Sequence, residues 1–250
     1  MSVTIVIRTL IIYFLLTIFC IVFAIPILIY LLVPERWRYH SYLLAGIVDA
    51  FYNGVLKCTL LPINYVGLNN LPQGAVIFVA NHQSALDVPV LGSLAHGTPH
   101  IWLAKKELLD SRMLRFVLPR TSVLVDTSSQ MKAMRSLLTA IKLVNDGHHG
   151  HVMLFPEGGR FTDGKVHDFF GGFVLLAKET KRPIVPVFIN GVAQAYPPDA
   201  FLVHTYPITV TIGKPFYYQE GQTTDKEFKN LVYNWFVQEA SDSNRNRERN

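Results

Sequence analysis

The sequence has few charged residues and few cysteines. Only 16% of its 250 residues are charged and 50% are hydrophobic, which gives a mean hydropathy of +0.26. Disordered chains have the opposite composition, so extensive disorder is excluded. Two cysteines, Cys20 and Cys58, are too few for a disulfide framework or a four-cysteine metal site, and they suit a reducing compartment.

One long stretch contains no charged residue. The 24 residues from Leu10 to Val33 are apolar except for Thr17 and Pro26. A helix of that length reaches roughly 36 Å, more than the roughly 30 Å of hydrocarbon in a bilayer. The segment that follows, Pro34–Trp37, is typical of an interfacial anchor and indicates a retained helix rather than a cleaved signal. Because Pro26 can bend this helix, the sequence allows either a true membrane span or two helices that dip into one leaflet.

The next apolar stretch, Tyr42–Val66, is interrupted by polar residues that include Asp49 and Lys57. It is too polar to span a membrane, so we predict an interfacial helix. Residues 1–66 are therefore expected to form a membrane anchor, with one apolar helix and one interfacial helix. Residues 67–240 would form the soluble domain, and residues 241–250 a polar tail without regular structure.

Short apolar runs alternate with helical patterns after Pro72. The runs predict buried strands at Ala75–Ala80, Ser122–Val125, His151–Phe155, Ile184–Ile189 and Ile208–Ile212. Helices are predicted over Ser129–Asn145, ending at Gly147, after Gly172, and from Thr224 with Glu227 in a capping box. The first of these has one apolar face, formed by Met131, Met134, Leu138, Ile141 and Val144. The pattern predicts an α/β fold, a mixed β-sheet flanked by helices and preceded by an N-terminal membrane-embedded helical segment.

The net charge of +5 favours anionic partners. Basic and apolar residues are interleaved from Ile101 to Arg120, which predicts a surface facing phosphates or lipid headgroups. The chain has no recognisable nucleic-acid-binding module, so nucleic acid is not an expected partner. The histidines His148, His149 and His151 lack a carboxylate or cysteine at ligand spacing, and we expect no metal.

A polar turn follows the first predicted strand. It contains His82 and Asp87, and the spacing lets the carboxylate fold back onto the imidazole. One ring nitrogen would then donate and the other could act as a general base. A capping aspartate beside an ordinary turn histidine is the structural alternative.

A second candidate site follows the His151–Phe155 strand, over Phe155–Arg160. Its glycines free the backbone to approach an anion, and Arg160 can hold a phosphate with two parallel bonds. Glu157 can accept from a substrate hydroxyl or pair with Arg160. A purely structural ion pair is the alternative.

These segments resemble ordered motifs of the 1-acylglycerol-3-phosphate acyltransferase family of glycerolipid acyltransferases. The resemblance covers roughly residues 71–191 and includes the segment Pro183–Val187. It implies that His82 is the base and Asp87 its partner, with Glu157, Gly158 and Arg160 at the acceptor site. It also implies a membrane-bound enzyme that transfers an acyl chain to the sn-2 hydroxyl of lysophosphatidic acid. Acyl-CoA or acyl carrier protein (ACP) would be the co-substrate, without a further cofactor.

Other positions match the family in part. Lys105 and Glu107 resemble a lysine-glutamate-leucine element in which the lysine is associated with the acceptor phosphate, and residues 123–127 resemble the second motif. Thr127 stands where the family usually has arginine, and Phe170 where many members have lysine. Gly159 replaces the commoner threonine. These departures weaken the inference to a phosphomonoester acceptor in particular.

Three alternatives stay open at this point. The same histidine and aspartate could acylate another lysophospholipid or glycerol-3-phosphate, or the chain could be a non-enzymatic protein that binds anionic lipid at the membrane surface. The chain has no Gly-x-Ser-x-Gly element, so we expect direct transfer without an acyl-enzyme. Backbone amides near Gly158 or after His82 are the expected oxyanion donors. We expect the cytoplasmic face of the inner (plasma) membrane as its location.

Overall fold

The computed structural model describes residues 3–38, 40–112, 114–146 and 150–248. The strands are β1 (Ile63–Val66), β2 (Ile77–Ala80), β3 (His100–Lys105), β4 (Ser122–Val125), β5 (His151–Leu154), β6 (Ile184–Asn190) and β7 (Ile208–Ile212). The helices are α1 (Val3–Leu32), α2 (Glu35–Arg38), α3 (Tyr42–Cys58), α4 (Asp87–Gly92), α5 (Leu114–Thr121), α6 (Gln130–Asn145), α7 (Gly172–Thr180), α8 (Val192–Ala195) and α9 (Asp225–Glu248).

The described strands form one mixed sheet in the order β1-β7-β6-β2-β5-β3-β4. The pairs from β6 through β4 are parallel, whereas β6 and β7 are antiparallel. The residues of β2 are buried on both faces, as expected for a parallel strand covered by helices on each side. The predicted mixed sheet flanked by helices is confirmed.

Alternate residues of the central strands face two separate cores. On one face Phe78 packs with residues of α1, α3 and α4. On the other face Ile77 and Val79 pack with residues of α6, α7 and α9. The predicted capping box begins α9, since Thr224 and Glu227 exchange side-chain and backbone hydrogen bonds. Two layers of helix therefore hold the strand ends in fixed positions.

The N-terminal helices form a pair that packs on the sheet. Gly54 in α3 packs directly against the Phe19 ring of α1, which leaves no room for a Cβ atom at position 54. Thr9, at the start of α1, is buried and accepts from the backbone N–H of Val203. The side chain of Arg8 donates to Thr205 and to the Leu60 carbonyl. Polar contacts thus fix the first turns of α1 to the sheet domain.

Most of α1 still presents apolar side chains outward. Within the described residues α1 is the one helix long and apolar enough to cross a membrane. The exposed side chains include Phe14, Ile21 and Ile25. Exposed apolar surface of this extent indicates a membrane contact. The prediction of an N-terminal apolar helix is confirmed, and it indicates membrane association.

The second apolar stretch differs from the prediction. Its helix, α3, ends at Cys58, and Ile63–Val66 forms the edge strand β1, which pairs with β7. The sheet therefore begins inside the segment that we assigned to the anchor. Alternating burial along β1 shows that only one of its faces is covered. A four-residue strand of this kind is too short to be distinguished from the end of a helix.

The basic stretch and the α6 face also differ in part. Ile101 and Trp102 are buried in β3, so the stretch becomes exposed and basic only beyond that strand. On α6, Ile141 and Val144 are buried as predicted. The rest of the predicted face is exposed, namely Met131, Met134 and Leu138. The short edge strand β4 gives the first half of α6 little surface to cover.

The remaining differences concern the tail and the histidine run. Helix α9 continues through the polar tail to Glu248, where no regular structure was predicted. The predicted helix end at Gly147 and two of the clustered histidines, His148 and His149, lie outside the described residues. The third, His151, accepts through Nδ1 from the backbone N–H of Val76.

Candidate active site

Three parallel strands bring the candidate residues to one edge of the sheet. Strand β5 lies between β2 and β3, and all three run in the same direction. Their carboxyl ends therefore meet at one edge, where open α/β sheets place their ligands. His82 follows β2, Glu157 follows β5, and Lys105 is the last residue of β3.

The turn after β2 brings His82 and Asp87 into contact. Asp87 opens α4, its side chain is fully buried, and its Oδ2 lies 2.9 Å from His82 Nδ1. The same oxygen accepts the backbone N–H groups of Gln83 at 2.5 Å and Ser84 at 2.7 Å. The aspartate therefore fixes both the imidazole and the turn that carries it. The alternative of an aspartate that only caps the helix does not account for its contact with the imidazole.

The contacts of the His82 ring define which of its two nitrogens carries the hydrogen. An ionised carboxylate only accepts, so Nδ1 carries the hydrogen that is donated to Asp87 and Nε2 keeps its lone pair. The ring stacks on Phe155 at a centroid distance of 4.0 Å and 9° between planes. Its side chain is 14% exposed. The Nε of Arg160 donates to Nε2 across 3.4 Å.

Neighbouring side chains tie this turn to the strand ends. The Asn81 amide accepts from the N–H of Ile189 and donates to the same residue's carbonyl. The buried Ser84 hydroxyl donates to the Tyr196 carbonyl at 2.5 Å. Sequence reasoning missed both roles and the Phe155 stack. The polar residues next to His82 were the only signal, and spacing could not show which backbone they would reach.

Glu157 lies beside His82 and bonds to the backbone of two segments. Its carboxylate accepts the backbone N–H of His82 at 3.3 Å and that of His167 at 3.1 Å. It is buried, and desolvation raises its pKa above the ordinary value. No ion pair joins it to Arg160 within the described part of the chain. Glu157 therefore supports two backbone segments, and its contact with the acceptor stays a prediction.

Gly158 allows a cation to approach the backbone beside the base. Its φ is +65°, and a Cβ there would lie 2.7 Å from the Phe170 ring and 2.8 Å from Cε of Lys105. A side chain at this position would require the end of the Lys105 side chain and the Phe170 ring to shift. The Nζ of Lys105 also lies 5.6 Å from the centre of the exposed Phe170 ring. Lys105 and Arg160 thus border the same turn.

Several contacts fix the loop immediately after Arg160. The N–H of Phe161 donates to the His82 carbonyl at 3.0 Å, and the Phe161 ring stacks on His167 at 3.7 Å. His167 Nε2 lies 3.0 Å from the Asp163 carboxylate. The Arg160 side chain, which precedes these fixed points, is exposed.

The segment resembling the second motif lies beside Lys105 and is closed by internal pairs. The Thr127 hydroxyl donates to Glu107 at 3.0 Å, and Lys106 pairs with Asp126 at 3.0 Å. Hydrogen bonds from Ser128 and Lys106 hold the pKa of the Asp126 carboxyl well below its usual range. Lys106 is thus engaged with a carboxylate, whereas Lys105 lies against Gly158.

Three of the backbone amides expected as oxyanion donors are already engaged. The N–H groups of Gln83 and Ser84 donate to Asp87, and that of Gly158 donates to the Phe155 carbonyl at 3.2 Å. A backbone N–H has one hydrogen, so these three cannot also serve a substrate oxygen without rearranging. These three amides do not serve an oxyanion in this geometry, and the other backbone N–H groups near Gly158 and after His82 stay the predicted donors.

Comparison with known proteins assigns the family. The acyltransferase family model matches residues 62–190, which include the His82 turn, the Phe155–Arg160 segment and all strands from β2 to β6. A 1-acyl-sn-glycerol-3-phosphate acyltransferase of Helicobacter pylori strain J99 is 30% identical over 173 residues, covering 66% of this chain and 72% of that protein. One of Limnanthes douglasii is 28% identical over 202 residues, covering 79% and 68%.

A solved structure shows the same fold. The 1-acyl-sn-glycerophosphate (LPA) acyltransferase PlsC of Thermotoga maritima superposes with a TM-score of 0.74 at 23% identity, covering 96% of this chain and 95% of that one. That match includes the N-terminal helices as well as the sheet. The histidine-aspartate turn and the matching family model together show that the chain belongs to the acyltransferase family and is an O-acyltransferase.

Proposed function

We propose that this enzyme transfers an acyl chain from acyl-CoA or acyl-ACP to the sn-2 hydroxyl of 1-acylglycerol-3-phosphate, lysophosphatidic acid, and so forms phosphatidic acid. The observation that carries the proposal is the His82–Asp87 pair at 2.9 Å, bordered by the cations of Arg160 and Lys105. The relatives named above act on 1-acyl-sn-glycerol-3-phosphate by their names, which supports the same acceptor here.

The His82 imidazole activates the acceptor hydroxyl. Nε2 removes the proton of the sn-2 hydroxyl while Nδ1–H remains bonded to Asp87, and the buried carboxylate stabilises the imidazolium that forms. The acceptor oxygen bonds to the thioester carbonyl carbon and gives a tetrahedral oxyanion. When this collapses, the C–S bond breaks, and the sulfur leaves with the proton from Nε2. The products are an ester and a free thiol, and His82 is neutral again.

The two flanking cations suit a phosphate on the acceptor. A phosphomonoester carries about −1.5 to −2 charges near neutral pH. Arg160 can offer two parallel donors to it, and Lys105 adds a point charge at Gly158, where a side chain would block the approach. In the described part of the chain neither cation has a carboxylate partner, so both are available to an anion.

The N-terminal helices support action at a membrane. The outward face of α1 is apolar along its length, while its first turns are fixed to the sheet domain by Arg8 and Thr9. A lysophospholipid could therefore reach the site without leaving the lipid surface. We propose that the enzyme acts at the cytoplasmic face of the inner membrane, because the cytoplasm holds acyl-CoA and acyl-ACP. We propose no further cofactor.

An acceptor panel tests this proposal. Purified full-length protein in mixed micelles is given acyl-CoA or acyl-ACP with lysophosphatidic acid, lysophosphatidylcholine or glycerol-3-phosphate, and thiol release and lipid product are measured. We expect release that depends on the acceptor and is fastest with lysophosphatidic acid. Preference for another acceptor would reassign the substrate within the same chemistry. Thiol release equal with and without acceptor would contradict acyl transfer.

A further inference from the structure

Arg160 does more in this geometry than border the site. It donates through Nε to Nε2 of His82 at 3.4 Å, and Nε2 is the nitrogen that must take the hydroxyl proton. A lone pair that accepts from a guanidinium is not available to an alcohol, and arginine does not lose its proton in proteins. In this geometry Arg160 therefore engages the nitrogen that has to accept the proton.

We propose that Arg160 is a substrate-displaced cap on the general base, and that the acceptor's phosphate removes it. The proposal rests on the proposed function, because it assumes an acceptor whose hydroxyl reacts at His82. It makes Arg160 a residue that couples recognition of the headgroup to availability of the base. The enzyme would then select anionic acceptors in the turnover step as well as in binding.

The contact has the properties of a displaceable cap. At 3.4 Å it is at the long end for a hydrogen bond, so it is weak. The Arg160 side chain is exposed, and no carboxylate holds it in the described part of the chain. By contrast, Nδ1 of the same ring is held at 2.9 Å by a fully buried carboxylate. Movement of Arg160 therefore frees Nε2 without disturbing the orientation of the ring.

A phosphate is the ligand that would draw Arg160 away. Two parallel, charge-assisted bonds to phosphate oxygens are stronger than one long bond to a neutral imidazole nitrogen. Lys105 lies against Gly158, which belongs to the same loop as Arg160. A phosphate bound to both cations therefore lies on the Gly158 side of the turn. An uncharged acceptor offers no such exchange and must compete with Arg160 for Nε2.

Opposite effects on two acceptors test the cap. Arg160→Met removes the donor and keeps an unbranched side chain, and it is compared with the wild type on lysophosphatidic acid and on uncharged 1-monoacylglycerol. We expect kcat/KM for lysophosphatidic acid to fall and kcat for monoacylglycerol to rise about three- to tenfold, the range for losing one competing hydrogen bond. If Arg160 only binds phosphate, the monoacylglycerol rate stays constant or falls, and the cap is refuted.

Two further variants separate charge from contact. Arg135→Met removes an exposed arginine of α6, and we expect both rates to stay within twofold of the wild type. Lys105→Met removes the other bordering cation without touching Nε2. We expect it to reduce kcat/KM for lysophosphatidic acid with no gain on monoacylglycerol. A gain in either variant equal to that of Arg160→Met would show a general charge effect and overturn the cap.

A spectroscopic readout makes the test independent of turnover. In full-length protein with ¹⁵N-labelled histidine, a lysophosphatidic acid analogue lacking the sn-2 hydroxyl is added in micelles. The His82 Nε2 resonance should move toward that of a free acceptor nitrogen, and in Arg160→Met it should already be there. A resonance that does not move on saturation in the wild type would overturn the cap. Absence of wild-type transfer to lysophosphatidic acid would instead refute the proposed function.

Discussion

Replacing Asp87 by Asn tests the imidazole-carboxylate pair with little change of shape. The Asp87 Oδ2 accepts three hydrogens, from His82 Nδ1 and from the N–H groups of Gln83 and Ser84. An amide oxygen can take that position and keep all three bonds. What the substitution removes is the negative charge beside the imidazolium that forms when His82 takes the proton.

The size of the effect follows from the distance. With Oδ2 2.9 Å from Nδ1, the centres of charge lie about 4 Å apart, and at an effective dielectric of about 20 the attraction is about 4 kcal/mol. That corresponds to a fall in kcat of about 10³, since 1.4 kcal/mol is about tenfold. KM for lysophosphatidic acid should change less than about threefold, because Asp87 is buried behind the ring.

The assay is initial-rate thiol release with lysophosphatidic acid in micelles. The matched control is Asp225→Asn, which removes a carboxylate that pairs with Lys178 and accepts from Tyr218, and it should keep the wild-type rate. Equal melting temperatures of the Asp87 variant and the wild type would exclude loss of fold as the cause. An Asp87→Asn enzyme within tenfold of the wild-type kcat would refute the role of the carboxylate.

Three further predictions concern the loop, the buried acid and the anchor. Gly158→Ala places a Cβ at positive φ against Lys105, so kcat/KM for lysophosphatidic acid should fall about tenfold or more in the micelle assay; an unchanged value would contradict the contact. Because burial raises the pKa of Glu157 above 4.5, its stabilising contribution is present below that pH and lost as pH rises through the folded-state pKa. Melting temperatures of the wild type should therefore fall relative to Glu157→Gln over that range, and a relative rise would contradict the direction. Ile21→Lys charges an exposed position of α1, so binding to lipid vesicles should fall at least tenfold while turnover in micelles is kept; unchanged vesicle binding would remove this face from the membrane.

The sequence predicted the parts of the fold that depend on local pattern. The strand Ser122–Val125 and the strand Ile208–Ile212 have the predicted bounds, because apolar runs between turn residues mark buried strands clearly. The capping box at Thr224 was equally readable. Strands β1 and β3 were missed. Only one face of β1 is buried, and β3 ends in a lysine, which is typical of exposed segments.

The site was predictable where two groups are close in sequence. His82 and Asp87 are five residues apart, so a single turn decides whether they meet. Contacts between distant segments were not predictable, and Glu157 shows why: its partners are backbone N–H groups, which carry no residue-specific signal. The contact of Arg160 with His82 joins residues 78 positions apart, and it needed the sheet order to bring β2 and β5 together.

The most direct test of the account is the rate of the His82→Ala enzyme with lysophosphatidic acid and acyl-CoA or acyl-ACP, measured together with its binding to vesicles. Without the imidazole, the enzyme loses the group that we propose removes the hydroxyl proton, so we predict a loss of at least about 10² to 10⁴ in acceptor-dependent thiol release. Vesicle binding should equal that of the wild type. A His82→Ala enzyme that keeps more than a tenth of the wild-type rate would contradict general-base catalysis at this turn.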